Sequence, residues 1–456
     1  MAISSIGVGS NLPLAQLLDN LRASQEVRLT AIEKRQTSVD ARITAYGQLK
    51  SELTNLSNAA KALSTDAFDA MKTMVTGSDF TASAKTSALK GSYNIKVNTL
   101  ASAQSLAMAG RASRTDDIGT GGKINFTING EVKEVDLSTT GTSLEDIVAA
   151  INGQDELGVR ATILNNGSGT PYQLILTSQT TGTDAAVTRI TVTGNAALHD
   201  AIQFGAAGST VSEVAAQNAS LEVNGVAINS QSNIVGNVLD GVSLTLTGAS
   251  GNANTLAISG DAQGVKDAIK GFVDRYNDVL KKIKQVTSYD VEKQTGSALT
   301  GDSLTRSIQS RLTDVLNTTS GSGAGAFSML SDIGIRTDPQ TGQLQINDAA
   351  LDKAMQQKPA DIQALFRGDN GIAKRAMDAA ATFTDSKDGL LVSASAGATR
   401  TLKDLDRQYA SAKERIDAQM EVYRKQFTQM DVLVSQLNST SSYLTQQLSQ
   451  LGSSKS

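Results

Sequence analysis

Apolar residues recur every three or four positions near the beginning of the chain, as in a helix that packs along a seam. Residues 14–63 contain no proline and one glycine, Gly47, and are rich in residue types that favour helices. The seam positions are Leu18, Leu21, Gln25, Arg28, Ile32, Arg35, Val39, Arg42, Tyr46, Leu49, Leu53, Leu56, Ala60 and Leu63. The pattern predicts one long helix, with three arginines at seven-residue intervals impairing the middle of its seam.

A cleaner version of the same pattern lies near the other end of the chain. Its positions are Leu402, Leu405, Tyr409, Ala412, Ile416, Met420, Tyr423, Phe427, Met430, Val434, Leu437, Ser441, Leu444, Leu448 and Leu451. About seven heptads predict roughly 75 Å of helix at 1.5 Å per residue. Such a polar helix is marginal alone, so its seam needs a partner. We expect the two terminal helices to pack antiparallel to each other.

Residues 75–262 follow a different period, in which apolar and polar residues alternate over short runs. The clearest predicted strands are Tyr93–Val97, Ile124–Ile128, Leu174–Leu176, Leu221–Val223 and Val242–Leu246. Asn129-Gly130 and Asn224-Gly225 each lie between two such runs, which predicts two tight hairpins. One helix interrupts the strands at residues 143–152, where Ser143 and Asp146 form a capping box. We expect small sandwich-like or barrel-like modules here.

Helical patterns return between residues 264 and 400. The candidate helices are 265–286, 303–316 and 348–357. A hairpin from Ile333 to Ile346 turns on residues 338–342, whose types suit a turn. Gly321–Ala326 is typical of a flexible linker.

These patterns predict an α+β multidomain protein, with long terminal helices forming a coiled-coil or helical-bundle stem and β-rich domains inserted between them. Because helical composition flanks β composition on both sides, most of the domains are expected to be discontinuous. The predicted domains are a terminal coiled-coil domain (1–42 and 401–456), a helical domain with a hairpin (43–75 and 264–400), an inner β-rich domain (76–111 and 214–263) and an outer β-rich domain (112–213).

Composition removes several classes of function. The 456 residues suffice for about three domains. With 41 Lys and Arg against 45 Asp and Glu, the net charge of −4 argues against a broadly basic nucleic-acid binder. The chain has no cysteine and one histidine, which excludes thiol chemistry, Cys-based metal sites and a two-His site. No signal peptide or membrane span is visible, so we expect a cytoplasmic protein or export without a cleaved signal.

The motifs that could carry chemistry each have an ordinary alternative. The Gly-rich run at 321–325 lacks the context of a phosphate-binding loop and suits a flexible connection. His199 has no located nucleophile or orienting acid, so a solvated or capping role stands against catalysis. The turn at Asp338 has too few acidic oxygens for a calcium loop and suits a plain hairpin. We expect no cofactor, no metal site and no catalytic residues.

Two questions stay open from the pattern alone. The stripe Arg28, Arg35 and Arg42 is either a solvated helix edge or a polar ladder that contacts carboxylates on a neighbouring helix or subunit. The terminal heptads are either intramolecular core or a seam between subunits, and their length favours the seam. The candidate interface residues are Leu18, Leu21, Arg28, Ile32, Arg35, Val39, Arg42, Ile416, Met420, Tyr423, Phe427, Met430, Val434, Leu437, Leu444, Leu448 and Leu451.

Short segments, in a fixed order, resemble one bacterial family. They are Gly7–Leu14, Glu33–Gln36 with Ile43–Lys50, Ser143–Asn152 with Val159–Ala161, Tyr276–Val279, Gly301–Leu304, and Ile333–Ile335 with Thr341–Leu344. The third of these resembles a motif shared by flagellin and hook-associated proteins. The ordered set spans nearly the whole chain and is similar to the bacterial flagellar filament cap proteins, also called the hook-associated protein 2 family.

The resemblance implies a structural protein, not an enzyme. Members of the family form a ring-like homo-oligomer at the distal end of the filament, where they retain exported flagellin and guide it into the lattice. Their terminal helices insert at the filament tip and their β domains form the cap plate. Some members also contribute to adhesion to host surfaces.

The resemblance also implies partners and a location. Besides further copies and flagellin, these are the hook–filament junction proteins and a cytoplasmic export chaperone at the C-terminal helix, with no nucleic acid and no membrane insertion. Export through the flagellar type III apparatus would place the protein outside the cell, at the filament tip.

Other classes remain as alternatives. Another flagellar axial protein, such as a junction protein or flagellin, would share several of these motifs, although residues 334–351 favour the cap. A coiled-coil surface adhesin would share the terminal heptads. A hydrolytic enzyme is disfavoured by the single histidine and the missing motifs.

Overall fold

The computed structural model describes residues 7–317, 327–367 and 370–453, with side chains to residue 449. The α-helices are α1 (Leu14–Ser64), α2 (Leu144–Asn152), α3 (Ala196–Ile202), α4 (Ala262–Thr287), α5 (Ser303–Asn317), α6 (Asp348–Gln357), α7 (Pro359–Arg367), α8 (Ile372–Thr384) and α9 (Leu390–Ser453). The predicted linker at Gly321–Ala326 lies outside the described residues.

The strands are β1 (Met71–Val75), β2 (Phe80–Ala84), β3 (Gly91–Thr99), β4 (Ser105–Ala107), β5 (Lys123–Ile128), β6 (Glu131–Asp136), β7 (Val159–Asn165), β8 (Tyr172–Ser178), β9 (Val187–Thr193), β10 (Ser212–Val214), β11 (Ala219–Val223), β12 (Val226–Ser230), β13 (Ile234–Leu239), β14 (Val242–Leu246), β15 (Ala253–Gly260), β16 (Tyr289–Asp290), β17 (Thr295–Gly296), β18 (Ile335–Thr337) and β19 (Leu344–Ile346). They pair antiparallel throughout the described chain.

The chain divides into two compact units. One combines Met1–Ala67 with Val265–Ser456, and the other is Phe68–Gly264. The α+β class, with long terminal helices around an inserted β-rich region, is therefore confirmed.

The first unit is built on the two long helices. The second half of α1 buries Tyr46, Leu49, Leu53, Leu56, Ala60 and Leu63. This face packs on α7 and α8, and α8 also contacts α5 and α9. The amphipathic helix α4 joins the unit through Phe272, whose ring meets that of Phe366 edge to face with 6.2 Å between centroids. This core positions the segments of α1 and α9 that run beyond it.

The second unit contains two hydrophobic cores. Around one core lie a five-stranded sheet, β1-β15-β3-β11-β12, and a three-stranded sheet, β13-β14-β2, which meet as a sandwich. Around the other lie the sheets β10-β4-β8-β7 and β6-β5-β9 with helices α2 and α3. The first core uses residues 80–258 and encloses in sequence the second, which uses residues 106–202.

Local signals in the sequence locate most of these elements. Asn129-Gly130 and Asn224-Gly225 have positive φ at both residues, as a type I′ hairpin turn requires. Ser143 and Asp146 form the predicted capping box of α2, and α6 has the predicted bounds. Helices α3, α7 and α8 were not predicted individually, and α9 begins at Leu390, before the heptad pattern. The four-domain division stays a prediction, since α1 and α9 run unbroken through residues 42–43 and 400–401.

Candidate functional site

The first half of α1 lies antiparallel to α9, as the two heptad patterns predict. Across the pair, Gln36 Nε2 donates to Asp406 Oδ1 at 2.7 Å, and Arg22 Nη2 donates to Asp417 Oδ1 at 3.0 Å. Earlier residues of α1 meet later residues of α9, as in an antiparallel pair. The pairing ends at the loop before α1, where the Ser10 backbone N–H donates to Asp431 Oδ1 at 2.7 Å and Gly9 lies beside Ser435.

One apolar cluster lies along the seam of this pair. Leu29, Ile416 and Met420 are each 7% exposed and form one cluster. Partly buried side chains pack against it: Leu18, Leu21, Tyr409, Ala412 and Tyr423. Ile32 and Val39 on α1 and Phe427 and Val434 on α9 are also half-buried, while Met430 is exposed. Most of the predicted interface residues up to Phe427 are thus gathered along one intramolecular seam.

The arginine stripe lies beside this seam and not in it, which corrects the predicted seam positions. Arg28, Arg35 and Arg42 are exposed, and the neighbouring Leu29, Gln36 and Ile43 are buried or half-buried in their place. An α-helix has 3.6 residues per turn, so a strict seven-residue track drifts around it. The four-residue step from Gln25 brings Leu29 onto the seam and leaves the guanidinium groups in water, where their charge is not desolvated.

Arg42 differs from the other two arginines in its surroundings. Its Nη2 donates to Tyr46 Oη at 3.3 Å and lies 3.9 Å from Asp302 Oδ2. Tyr46 Oη donates to the same carboxylate at 2.7 Å, and burial raises the pKa of this tyrosine. Within the described residues Arg28 and Arg35 form no salt bridge. A part of the stripe is therefore a solvated edge in the single chain; a contact to another subunit stays a prediction.

Among the described residues, the last part of α9 continues the heptads without a partner. Leu437, Leu444 and Leu448 are 60%, 54% and 68% exposed. Val432, Leu433 and Tyr443 are also exposed. The side chain of Leu451 lies outside the described residues. The structure therefore separates the C-terminal heptads into a self-paired stretch that ends near Ser435 and a free stretch after it.

The sequence patterns did not identify Ser10 or Asp431 as functional residues. Asp431 stands one position from the predicted seam residue Met430, and Ser10 lies before the first helix. The only available signal was the short Gly-x-Gly-Ser run at residues 7–10, which suits a loop whose backbone approaches another group closely.

The other candidate sites have structural roles. His199 lies on α3, and its Nδ1 accepts the backbone N–H of Val192 at 3.1 Å. Asp338 Oδ1 accepts the backbone N–H groups of Gln340 and Thr341 at 2.8 and 3.1 Å, which lowers the pKa of Asp338 and closes the hairpin turn. Across the described residues, no group of three or more His, Asp or Glu side chains is arranged to bind a metal ion. None of the helices in that part of the chain is both long and apolar enough to cross a membrane.

Family models match most of the chain. The model described as flagellar hook-associated protein 2 N-terminus matches residues 10–104, and the corresponding C-terminus model matches residues 216–439. The flagellin hook IN motif matches residues 123–180, which include α2 and the strand after it.

Individual relatives match at full length. Flagellar hook-associated protein 2 of Escherichia coli (strain K12) is 38% identical over 473 residues, covering 100% of both chains. The protein of the same name from Salmonella typhimurium is 36% identical and covers 99% of this chain and 100% of its own. The crystal structure of the flagellar cap protein FliD D1-D2-D3 domains from Escherichia coli has a TM-score of 0.65 and 33% identity, covering 78% of this chain and 99% of that one. From these matches at both ends and over the full length, the chain belongs to the flagellar hook-associated protein 2 family, the cap proteins of the bacterial flagellar filament.

Proposed function

We propose that this chain closes the distal end of the flagellar filament as a ring-like homo-oligomer and that flagellin enters the growing lattice beneath it. The proposal makes the protein a structural assembly factor and not an enzyme. Its location would be extracellular, at the filament tip. Family membership supports the cap role, and the free end of α9 supports the assembly surface.

The exposed apolar face of α9 is the observation that carries the proposal. Leu437, Leu444 and Leu448 keep the three-and-four spacing of the seam that holds α1, although α1 does not reach them. A row of leucines at this spacing fits the apolar groove of another helix, because each side chain can insert between those of its partner. Large apolar side chains in a row on a monomer are typical of an interaction site. We therefore assign this face to contacts with a second copy or with flagellin at the filament tip.

The same face suits a protein that protects the chain before it assembles. A cytoplasmic export chaperone that binds the C-terminal helix would cover the exposed leucines until the chain passes through the flagellar type III apparatus. Contact with the hook–filament junction proteins would follow where filament growth begins, before flagellin is added. The absence of cysteine from the sequence is compatible with passage of an unfolded chain.

The substitution Leu444→Asp tests the assembly surface. Since this side chain is exposed in the single chain, the melting temperature of the isolated protein should stay within about 2 °C of the parent, as surface changes usually cost less than about 0.5 kcal/mol. In the cap the same substitution would bury an unpaired charge, which is strongly unfavourable. We expect a strain carrying it to secrete flagellin into the medium and to grow no filaments.

Gln446→Asp is the matched control, because it places the same charge two residues away at an exposed polar position of α9. It should support normal filaments. Normal filaments from the Leu444→Asp strain would show that the free heptads are not an assembly surface. A large fall in the melting temperature of isolated Leu444→Asp would show that they belong to the subunit core instead.

A further inference from the structure

We infer that the loop formed by residues 7–13 is a clasp that binds the carboxylate of Asp431 and thereby fixes the register of α1 against α9. The clasp is a positioning element. It determines at which residue of α9 the self-paired stretch ends and the free stretch begins.

Several donors of the loop converge on one carboxylate. The backbone N–H of Ser10 donates to Asp431 Oδ1 at 2.7 Å, and the Ser10 hydroxyl donates to the same oxygen. The backbone amides of Gly7 and Gly9 add to the lowering of the pKa of this carboxylate. Successive backbone N–H groups that point into one concavity form a nest for an anion. Ser10 is 5% exposed, so the central donor of this nest is buried against α9.

The loop is shaped for this contact. Gly7 has φ of +99°, and a Cβ there would lie 2.3 Å from the carbonyl oxygen of Leu12, so only glycine fits. Asn11 also has positive φ, and Leu14 N donates to Leu12 O at 2.8 Å. The chain thus folds back on itself immediately before α1, which directs the amides of residues 7–10 towards α9.

The rest of the helix pair specifies register only weakly. Its apolar cluster has three buried side chains. Because apolar residues repeat every three or four positions, similar apolar contacts can form after one helix slips along the other. The ion pair of Arg22 with Asp417 joins side chains that are about half exposed, and such surface pairs contribute little. Hydrogen bonds to an ionised carboxylate are stronger and directional. Gln36 also donates to a carboxylate, that of Asp406, but this pair is exposed. The Asp431 contact is partly buried and receives two donors from Ser10, so it is the one best suited to discriminate between registers.

The register matters for the assembly surface proposed above, on which this consequence rests. A slip of one helical turn would displace the leucines of the free stretch by about 5.4 Å relative to α1. The face presented to a neighbouring subunit would then change, although each helix kept its own structure.

A disulfide trap can measure the register directly, because the chain has no cysteine. A Cβ on Gly9 would lie 3.2 Å from Ser435 Cβ, a few tenths of an ångström below the roughly 3.5–4.5 Å that disulfides need. Gly9 has no positive φ, so cysteine is tolerated there. We compare Gly9→Cys/Ser435→Cys with Gly9→Cys/Ser439→Cys, whose second position is one turn further along α9. In dilute isolated protein, oxidation should link residue 435 at least about tenfold faster than residue 439.

Removal of the clasp should abolish this preference. In an Asp431→Ala background, we expect the two pairs to oxidise within about threefold of each other. Asp417→Ala is the matched control, since it deletes an exposed carboxylate that pairs across the same seam, and it should keep the preference. Ser10→Ala should weaken the preference and Ser10→Thr should restore it, because threonine keeps the hydroxyl donor. If Asp431→Ala separated the two helices, equal oxidation would no longer report on their register. The Ser10 variants keep the carboxylate and therefore still test the clasp in that case.

Two results would overturn the inference. One is equal oxidation of both pairs in the chain that carries Asp431. The other is an unchanged preference in Asp431→Ala and Ser10→Ala, which would assign the register to the apolar seam. Filament growth plays no part in the assay, so failure of the clasp and failure of the assembly surface are separate outcomes.

Discussion

Two stretches of α9 carry the same heptad pattern and have different surroundings. In residues 402–431 the heptad positions face α1, and Ile416 and Met420 are buried. In residues 436–449 the positions continue with Leu437, Leu444 and Leu448, all more than half exposed. The difference arises from the length of the partner, since the described part of the loop before α1 meets α9 at Asp431 and Ser435. Periodicity alone thus identifies a helix that needs a partner but does not reveal which stretch finds one within the chain.

The two stretches also differ in what a substitution should affect. A change in the self-paired stretch alters the stability of the isolated protein, because a buried contact is lost. Under the proposed function, a change in the free stretch should alter only a contact with another protein. An isolated helix of this polarity is marginally stable, so the free stretch depends on that contact for its own order as well.

Ile416→Asp should give the largest effect in the isolated protein. Ile416 lies in the small cluster between α1 and α9, and burying an unpaired carboxylate there should cost about 3 kcal/mol or more. We expect α1 and α9 to separate along their paired stretch. Amide exchange should then become fast in residues 14–36, while the β-rich unit keeps its protection.

Ile416→Leu is the control, because a volume-conserving apolar change usually costs less than about 1.5 kcal/mol. Leu444→Asp, with the same charge in the free stretch, should leave exchange in residues 14–36 unchanged. If Ile416→Asp and Leu444→Asp behaved alike in the isolated protein, the two stretches would not differ as the structure indicates.

Local signals explain which parts of the fold were predictable. The Asn-Gly turns and the Ser143–Asp146 capping box are completed within a few residues of sequence, so each can be identified without knowledge of the tertiary structure. The antiparallel pairing of the terminal helices was predictable for another reason. Each helix has an apolar face that needs a partner helix, and the other terminal helix of the same chain can supply it.

Features that depend on tertiary contact were not predictable. The heptad pattern placed Arg28 on the seam, whereas the structure places Leu29 there. The difference arises because an α-helix has 3.6 residues per turn and a strict seven-residue repeat assumes 3.5. Ser10 and Asp431 are 421 positions apart, and no periodicity links them. The helix that carries His199 has seven residues, too few for a helical period to emerge.

The pH dependence of the clasp offers a smaller and more local test of where the self-paired stretch ends. Hydrogen bonds from the Ser10 hydroxyl and from the backbone of the loop lower the pKa of Asp431 below its usual range. A depressed folded-state pKa means that the stabilisation is complete above the ordinary aspartate pKa of about 3.9 and is lost as the pH falls through the lower folded value. The clasp should therefore stay closed from neutral pH to about pH 4 and open only below it.

A nitroxide at Val8→Cys can follow this opening, since Val8 is an exposed residue of the clasp and the natural chain has no cysteine. Residues 7–18 carry no charge, and the nearest charged side chains in sequence are Asp19 on α1 and Arg424 and Lys425 on α9. We expect a label of low mobility at pH 5–8 that becomes mobile below about pH 4. Asp431→Ala should give a mobile label throughout, because it removes the acceptor of the Ser10 donors; a pH-independent, immobile label in both chains would contradict a clasp held by the carboxylate.

The arginine stripe should give the smallest effects, and it tests whether the self-paired stretch has a second face for assembly. Arg42→Ala removes a donor to the buried Tyr46 and a charge near Asp302, which should cost about 0.5–1 kcal/mol of stability. Arg28→Ala and Arg35→Ala should change the stability by less than about 0.5 kcal/mol, because both side chains are exposed.

Charge reversal separates the two interpretations of Arg28 and Arg35. If Arg28→Glu with Arg35→Glu leaves both the melting temperature and filament growth unchanged, they are a solvated edge. If filament growth is lost while the isolated protein stays intact, Arg28 and Arg35 contact carboxylates of a neighbouring subunit. The exposed face of the self-paired stretch would then also serve assembly.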